Sequence, residues 1–115
     1  MSVVRHEQNK VFSKVVEANG FVMTSGIVAD DSKLDIKGQT EQTLAEIDRL
    51  LALGGTDKSK IVSTMIWLTD IRHRDGMNEV WFEWTGGENM PVRACVEAPL
   101  ASPGLLVEIQ VTAVK

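Results

Sequence analysis

Apolar residues recur with a helical period between residues 35 and 53 of the chain. They form one stripe along a helix when the sequence is laid out at 3.6 residues per turn. Asp35 can cap the start of this helix, and Gly54-Gly55 can end it. The residues of the stripe are Leu44, Ile47, Leu50 and Leu51. We therefore predict an amphipathic helix that runs from Asp35 to about Leu53.

A second amphipathic helix is predicted from about residue 73 to residue 85. Its apolar residues lie at positions i, i+3, i+4 and i+7, which places them on one side of a helix. The dipeptide Gly86-Gly87 follows and is expected to end it. The apolar residues are Met77, Val80, Trp81 and Trp84. This stripe is expected to be buried.

Two short apolar runs near the start of the chain are typical of a β-hairpin. Residues 11–18 and residues 21–25 flank Asn19-Gly20. That dipeptide tolerates the positive φ angles of a tight two-residue turn, so we predict two antiparallel strands joined there.

Three more segments have the composition of strands. Ile61–Leu68 is apolar on both alternating faces, which indicates a central strand covered on both sides. Residues 92–98 and residues 105–114 close the chain as two further strands, and the turn-like residues 101–104 join them.

The predicted order is β-β-α-β-α-β-β in a single domain over residues 1–115. We expect an α+β fold, a two-layer sandwich in which two helices cover one face of a mixed β-sheet. The other face still carries apolar residues and no element remains to cover it, so we expect another copy of the chain to do so.

Composition and charge narrow the possible functions. The net charge is −4, and no run of Lys or Arg appears, so nucleic-acid binding is not expected. No apolar stretch approaches a membrane span, and Cys95 is the only cysteine, which excludes an internal disulfide. His6 and His73 have no metal-ligand spacing, so no metal is expected. A cytoplasmic protein is the simplest interpretation.

Arg93 is the first candidate for chemistry. Alternation along residues 92–98 points Arg93, Cys95 and Glu97 to one face of the sheet and Val92, Ala94, Val96 and Ala98 to the other. We interpret the second set as core. The first set then places a guanidinium in the middle of an apolar sheet, where it needs an anion beside it.

Glu108 poses the same problem with the opposite charge, because it interrupts the apolar strand around Val107 and Ile109. One interpretation is a structural ion pair between Arg93 and Glu108. The other is that Arg93 binds a ligand carboxylate in a bidentate fork while Glu108 positions a water. Glu97 is a rival partner for Arg93 and ranks below Glu108, because its place near the strand end favours exposure.

These residues lie in a recognisable motif. Residues 91–98, followed by Val107-Glu108-Ile109, resemble the C-terminal signature of the YjgF/RidA family of imine and enamine deaminases, and the spacing from Arg93 to Glu108 matches as well. Thr24-Ser25-Gly26 resembles the family's element at the end of its second strand. Further matches in position are Gln39, Gln42, residues 67–70 and residues 77–81.

The resemblance implies a chorismate-mutase-like fold and a homotrimer with a pocket in each cleft between subunits. It implies that the enzyme hydrolyses 2-imino or enamino acids to 2-keto acids and ammonia without a cofactor. Arg93 would bind the substrate carboxylate and Glu108 would activate water. The remaining positions that the resemblance assigns to the pocket are Cys95, Ser25, Asn78 and Phe12, of which Phe12 stands where many relatives have tyrosine.

Two other functions stay open. The same pocket could bind a keto acid or amino acid without turning it over, as a regulatory protein does. Ribonuclease activity, attributed to some members of the family, is less expected, because the sequence supplies neither a basic groove nor an acid–base pair of histidines.

Overall fold

The structure, a computed structural model, describes residues 2–115. This part of the chain forms two α-helices and seven strands. In chain order they are β1 (Val3–Gln8), β2 (Ser13–Ala18), β3 (Phe21–Thr24), β4 (Ile27–Val28), α1 (Ile36–Leu53), β5 (Ile61–Leu68), α2 (Arg74–Thr85), β6 (Val92–Glu97) and β7 (Val107–Val114). Short 3₁₀ helices at Lys58–Lys60 and Ile71–His73 lead into β5 and α2.

The strands form one mixed sheet in the order β1-β2-β3-β7-β5-β6, and β4 continues β3 along β7. Only β5 and β6 run parallel among the paired strands of residues 2–115, and α2 connects them. Helices α1 and α2 pack against each other, and α1 packs against β2, β3, β4 and β7. The predicted α+β sandwich of two layers is confirmed.

Two strands are additional to the predicted order. β1 is mostly exposed and pairs only with β2, at one edge of the sheet. An edge strand needs little apolar surface, and the sequence of β1 is correspondingly polar. β4 has two residues, too few to give a periodic signal.

The hairpin and both helices are confirmed. Asn19 and Gly20 have φ angles of 52° and 81°, as a type I′ turn requires. Asp35 caps α1 by accepting a hydrogen bond of 2.9 Å from the Gly38 N–H. Gly86 ends α2 in the left-handed conformation, with φ 69°.

The core lies between the helices and one face of the sheet. Both predicted helical stripes contribute to it, with Trp84 partly buried at its margin. The fully buried large apolar residues are Val15, Val22, Leu44, Ile47, Leu50, Leu51, Ile66, Leu68, Met77, Val107 and Ile109. Neither helix within residues 2–115 is long and apolar enough to cross a membrane.

The interpretation of Val92, Ala94 and Val96 as core is wrong. β6 is the last strand of the sheet, and these residues point away from the helices, where Val92 is 72% and Val96 is 41% exposed. Cys95 points to the opposite side and packs against the core. Alternation therefore divided the strand correctly, but the two sets face the reverse of the expected directions.

Candidate functional site

Arg93 lies on the edge strand β6, beside Thr64 of β5. Its guanidinium carbon is 5.5 Å from the ring centroid of Trp81 on α2, within the range of a cation–π contact. The side chain is exposed and has no ion-pair partner among residues 2–115. The expectation of a cation enclosed in the middle of the sheet is wrong, because water reaches this edge. The guanidinium is available to an anion from solution.

Glu108 lies on the other face of the sheet. Its neighbour on β5 is Trp67, whereas the neighbour of Arg93 is Thr64. Thr64 and Trp67 are three positions apart on one strand, so their side chains point to opposite faces. The structural ion pair between Arg93 and Glu108 is therefore wrong for a single chain.

Glu97 is not the partner of Arg93 either. Its Oε1 accepts a hydrogen bond of 2.9 Å from the Ile71 N–H, at the start of the 3₁₀ helix before α2. This bond links the end of β6 to the segment that enters α2, and it explains why an acidic residue stands there.

Cys95 follows Arg93 on the helix-facing side of β6 and is half-buried. Burial raises the pKa of its thiol, and the positive charges of Arg93 and Arg74 oppose that rise. A raised pKa leaves the thiol protonated at neutral pH, so it is a poor nucleophile. The sequence-based preference for a packing role over nucleophilic catalysis agrees with this environment.

Helix α2 supplies the wall that faces these two residues. Arg74, Asn78 and Trp81 recur at i, i+4 and i+7, so they lie on one side of the helix. The Oδ1 atom of Asn78 is buried and has no hydrogen-bond partner among residues 2–115, and the same holds for the Thr64 hydroxyl. Unpaired buried polar atoms are costly unless a ligand or water pairs with them. We call Arg93, Cys95, Asn78 and Trp81 the arginine cluster.

The second group of polar residues surrounds a β-bulge. Met23 pairs with Thr112 of β7, but Ile27 pairs with Ile109, so β3–β4 contains one extra residue between these two pairs. Ser25 and Gly26 lie in this bulge, and the buried Ser25 hydroxyl has no partner among residues 2–115. A Cβ at Gly26 would overlap the Glu108 carboxylate. We call Ser25, Gly26 and Glu108 the glutamate cluster.

Phe12 stands apart from both clusters. It lies in the turn between β1 and β2 and is 49% exposed. The side chain of Asn9 holds this turn by accepting hydrogen bonds from the N–H groups of Val11 and Phe12. β2 is four strand positions from β6, which is about 19 Å at about 4.8 Å per strand. One chain therefore does not bring Phe12 near Arg93.

The structure thus places Arg93 and Cys95 on one face of β6, and Asn78 on the side of α2 that carries Trp81. It places Ser25 and Glu108 at one bulge, but it does not join the two groups. It also shows that Gly26, a member of the Thr24-Ser25-Gly26 motif, makes room for the Glu108 carboxylate. Arg74 is a residue that the sequence analysis did not single out, although it is a basic residue at the first position of a helix, where acidic residues are preferred. No group of three or more His, Cys, Asp or Glu side chains suited to a metal occurs in residues 2–115.

These features define an α+β protein with an exposed arginine on an edge strand, and comparison with known proteins extends this description. Residues 4–115 match the family described as endoribonuclease L-PSP. A RutC family protein from Haemophilus ducreyi is 40% identical over 111 residues, which cover 96% of this chain and 95% of that protein. The RutC family protein YoaB from Escherichia coli is 35% identical over 113 residues, 98% of each chain.

Solved structures agree with the sequence comparison. A member of the YjgF protein family from Neisseria meningitidis superposes with a TM-score of 0.96 at 40% identity, covering 100% of this chain and 96% of that one. A member of the YjgF/YER057c/UK114 family from Mycobacterium tuberculosis gives a TM-score of 0.90 at 30% identity, covering 99% and 100%. The chain belongs to the YjgF/RidA family, and the resemblance inferred from its C-terminal motif is confirmed.

Proposed function

We propose that the protein hydrolyses reactive 2-imino acids, and the enamines that tautomerise to them, to 2-keto acids and ammonia. The observation that carries this proposal is the exposed guanidinium of Arg93, which contacts Trp81 of α2 and has no ion pair among residues 2–115. The Oδ1 of Asn78, on the same side of that helix as Trp81, is buried and has no hydrogen-bond partner in this part of the chain. The first suits a substrate carboxylate, and the second can accept a hydrogen bond from a neighbouring N–H. A 2-imino acid carries both groups on adjacent carbons.

The pocket is completed by a second copy of the chain. Glu108 lies two strands from Arg93 and on the other face of the sheet, so one chain cannot direct both side chains at a small molecule. A neighbouring copy can bring its glutamate cluster, and its Phe12, to the edge formed by β6. The exposed Val92 and Val96 give this edge an apolar surface to bury in such a contact. We propose a homotrimer, the assembly that family membership suggests.

The reaction needs the substrate held, a water aimed and protons moved. Arg93 holds the carboxylate in a bidentate fork, and each charged hydrogen bond contributes about 1.5–3 kcal/mol. The Glu108 carboxylate of the neighbouring copy accepts a proton from water as the water oxygen bonds to the imine carbon, and it passes that proton to the imine nitrogen. Glu108 then moves the hydroxyl proton of the carbinolamine to the same nitrogen, the C–N bond breaks, and ammonia leaves behind a 2-keto acid.

Positioning supplies much of the rate enhancement. The imine carbon is already electrophilic, and well-oriented reactants can gain up to about 7–11 kcal/mol from proximity alone. Ser25 of the neighbouring copy and the backbone around Cys95 line the pocket and keep the water in place.

A coupled assay tests the proposal. An amino-acid oxidase or a serine/threonine dehydratase generates the imine, a trapping amine such as semicarbazide competes for it, and ammonia and keto acid are measured with and without the protein. We expect wild-type protein to suppress trapping and Arg93→Ala to abolish this effect while its elution volume in size-exclusion chromatography stays unchanged. Full activity of Arg93→Ala on 2-iminopropanoate would exclude the carboxylate-binding role.

Two other results would select other functions. Tight binding of a keto acid with no acceleration for any imine would indicate a regulatory binding protein. The description of the matching family as endoribonuclease L-PSP motivates a parallel assay with RNA. Cleavage that is lost in Arg93→Ala would favour ribonuclease activity, although the net charge of −4 gives RNA no general attraction to this surface.

A further inference from the structure

We propose that Arg74 binds a second anionic group of the substrate, so that the preferred imines are those of dicarboxylic amino acids with four or five carbons. This inference rests on the proposed function and specifies its substrate class. Arg93 would bind the carboxylate next to the imine carbon, and Arg74 would bind the carboxylate at the other end of the molecule.

The position of Arg74 in the fold is unfavourable without a ligand. Arg74 is the first residue of α2, where the helix dipole disfavours a positive charge, and no side chain caps this helix end. Its guanidinium is exposed and has no ion pair among residues 2–115. Its neighbour Arg72, in contrast, is held by Asp70 at 2.7 Å.

Arg74 and Arg93 flank the same strip of the molecule. β6 begins beside the end of α2 and ends beside its start, since Arg93 contacts Trp81 and Glu97 bonds to Ile71. Arg74 is seven residues before Trp81, which corresponds to about 10.5 Å along the helix axis. Cys95 lies between Arg93 and Glu97 on β6, and therefore along the same strip.

The strip between the two arginines is complementary in charge to an imino diacid. It carries a cation at each end, and in between lie a half-buried thiol and the unpaired Oδ1 of Asn78. A monocarboxylate would satisfy Arg93 and leave Arg74 unpaired beside a like charge. A diacid would pair both cations and leave its imine N–H near the amide oxygen. The charged groups of the strip are opposite in sign to those of the diacid and occur in the same order along its length.

The test compares substrates of one and two carboxylates. L-Glutamate oxidase and L-aspartate oxidase generate 2-iminopentanedioate and 2-iminobutanedioate, and a dehydratase acting on serine generates 2-iminopropanoate. We expect wild-type protein to have a higher kcat/KM for at least one diacid than for the monoacid. In Arg74→Gln the diacid-to-monoacid ratio should fall by about tenfold to a hundredfold, the range of one charged hydrogen bond.

Arg72→Gln is the matched control, because it removes a neighbouring exposed arginine, and the ratio should not change there. A second experiment needs no variant and measures inhibition of the wild-type protein by carboxylates that do not react. Butanedioate and pentanedioate should inhibit imine hydrolysis more strongly than propanoate. Hydrolysis of the monoacid with no preference for diacids would overturn the role of Arg74 and leave the proposed function standing. No hydrolysis of any imine would instead overturn the proposed function.

An ion pair between Arg74 and a neighbouring copy would give a different pattern. In that case Arg74→Gln would lower turnover of both substrates equally and shift the oligomer toward monomer in sedimentation. That result would overturn the proposal as well. Arg74→Lys separates charge from geometry, since it should keep part of the diacid preference while losing the bidentate fork.

Discussion

Arg93 and Glu108 project from opposite faces of one sheet, two strands apart. In a single chain they are neither an ion pair nor two walls of one pocket. The surroundings of each side chain nevertheless suit an interaction with a group from outside its own chain. The guanidinium of Arg93 has no counterion within the described residues 2–115, and the carboxylate of Glu108 is packed against a bulge that has room only for glycine. This separation is the reason for expecting a pocket between copies.

Mixing two inactive variants tests the shared pocket directly. Arg93→Ala retains Glu108 and Glu108→Gln retains Arg93, so an interface with the right pair of subunits contains both groups. We expect each variant to be inactive alone. Co-expression or joint refolding should restore about a quarter of wild-type activity, the share of complete pockets in a randomly mixed cyclic oligomer. Activity that stays at the level of the separate variants would contradict a pocket built from two copies.

Gly26→Ala is expected to lower kcat without unfolding the protein. The φ angle of Gly26 is not positive, so the backbone tolerates alanine, but the new Cβ would occupy the place of the Glu108 carboxylate. The carboxylate must move, and a small displacement of a catalytic group can cost a hundredfold in rate. Steady-state kinetics and thermal melting would measure the two effects.

The double variant provides the control for Gly26. If alanine acts only by displacing the carboxylate, it should lower the melting temperature by much less in Glu108→Ala, which has no carboxylate to displace, than in wild type. Additive losses in the two backgrounds would mean that the bulge, rather than Glu108, is what the substitution disturbs.

The two helices and the hairpin could be predicted because their signals are local. The leucines of α1 repeat at the helical period, Asp35 caps the first turn, and Asn19-Gly20 fits one turn type. The bulge at Ser25-Gly26 could not be predicted, since an extra residue is defined only relative to β7. The family motif contains both Ser25 and Gly26, but nothing in the sequence shows that the glycine makes room for the Glu108 carboxylate.

The sequence also does not determine which face of the sheet carries Arg93. Alternation separates Arg93 and Cys95 from Val92 and Val96 but does not say which set meets the helices. That depends on the edge position of β6, where an apolar set can remain exposed until another chain covers it. Hydrophobicity alone therefore predicts that Val92 and Val96 are core residues, whereas both are exposed in the structure.

Cys95 should react slowly with iodoacetamide at neutral pH. Burial raises the pKa of its thiol above the ordinary value of 9.0, so the thiolate is scarcer at pH 7 than in a free thiol. The rate should increase with pH beyond 9. Removing the nearby cation in Arg93→Ala should raise the pKa further and slow the reaction more. Labelling followed by mass spectrometry checks this, and faster labelling in Arg93→Ala would show that exposure governs the rate instead.

Gln39 is expected to be the most costly polar side chain of α1 to remove. It is fully buried, its Nε2 donates to the carbonyls of Leu34 and Gly104 at 3.0 and 2.8 Å, and its Oε1 accepts from the Leu106 N–H at 2.8 Å. These bonds fasten the segment before β7 to the start of α1. Gln39→Ala removes a fully buried side chain and three hydrogen bonds to partly buried or exposed backbone groups, and we expect it to lower the free energy of unfolding by about 2–3 kcal/mol.

Gln42 is the matched control for this loss, because it is a glutamine of the same helix that is exposed and accepts one hydrogen bond, from the Asp31 N–H at 3.0 Å. Gln42→Ala should cost less than about 1 kcal/mol, the usual range for an exposed position. Urea unfolding followed by tryptophan fluorescence measures both variants at one protein concentration, since association would add to the apparent stability. Equal losses in the two variants would mean that helix propensity, and not the buried hydrogen bonds of Gln39, sets the cost.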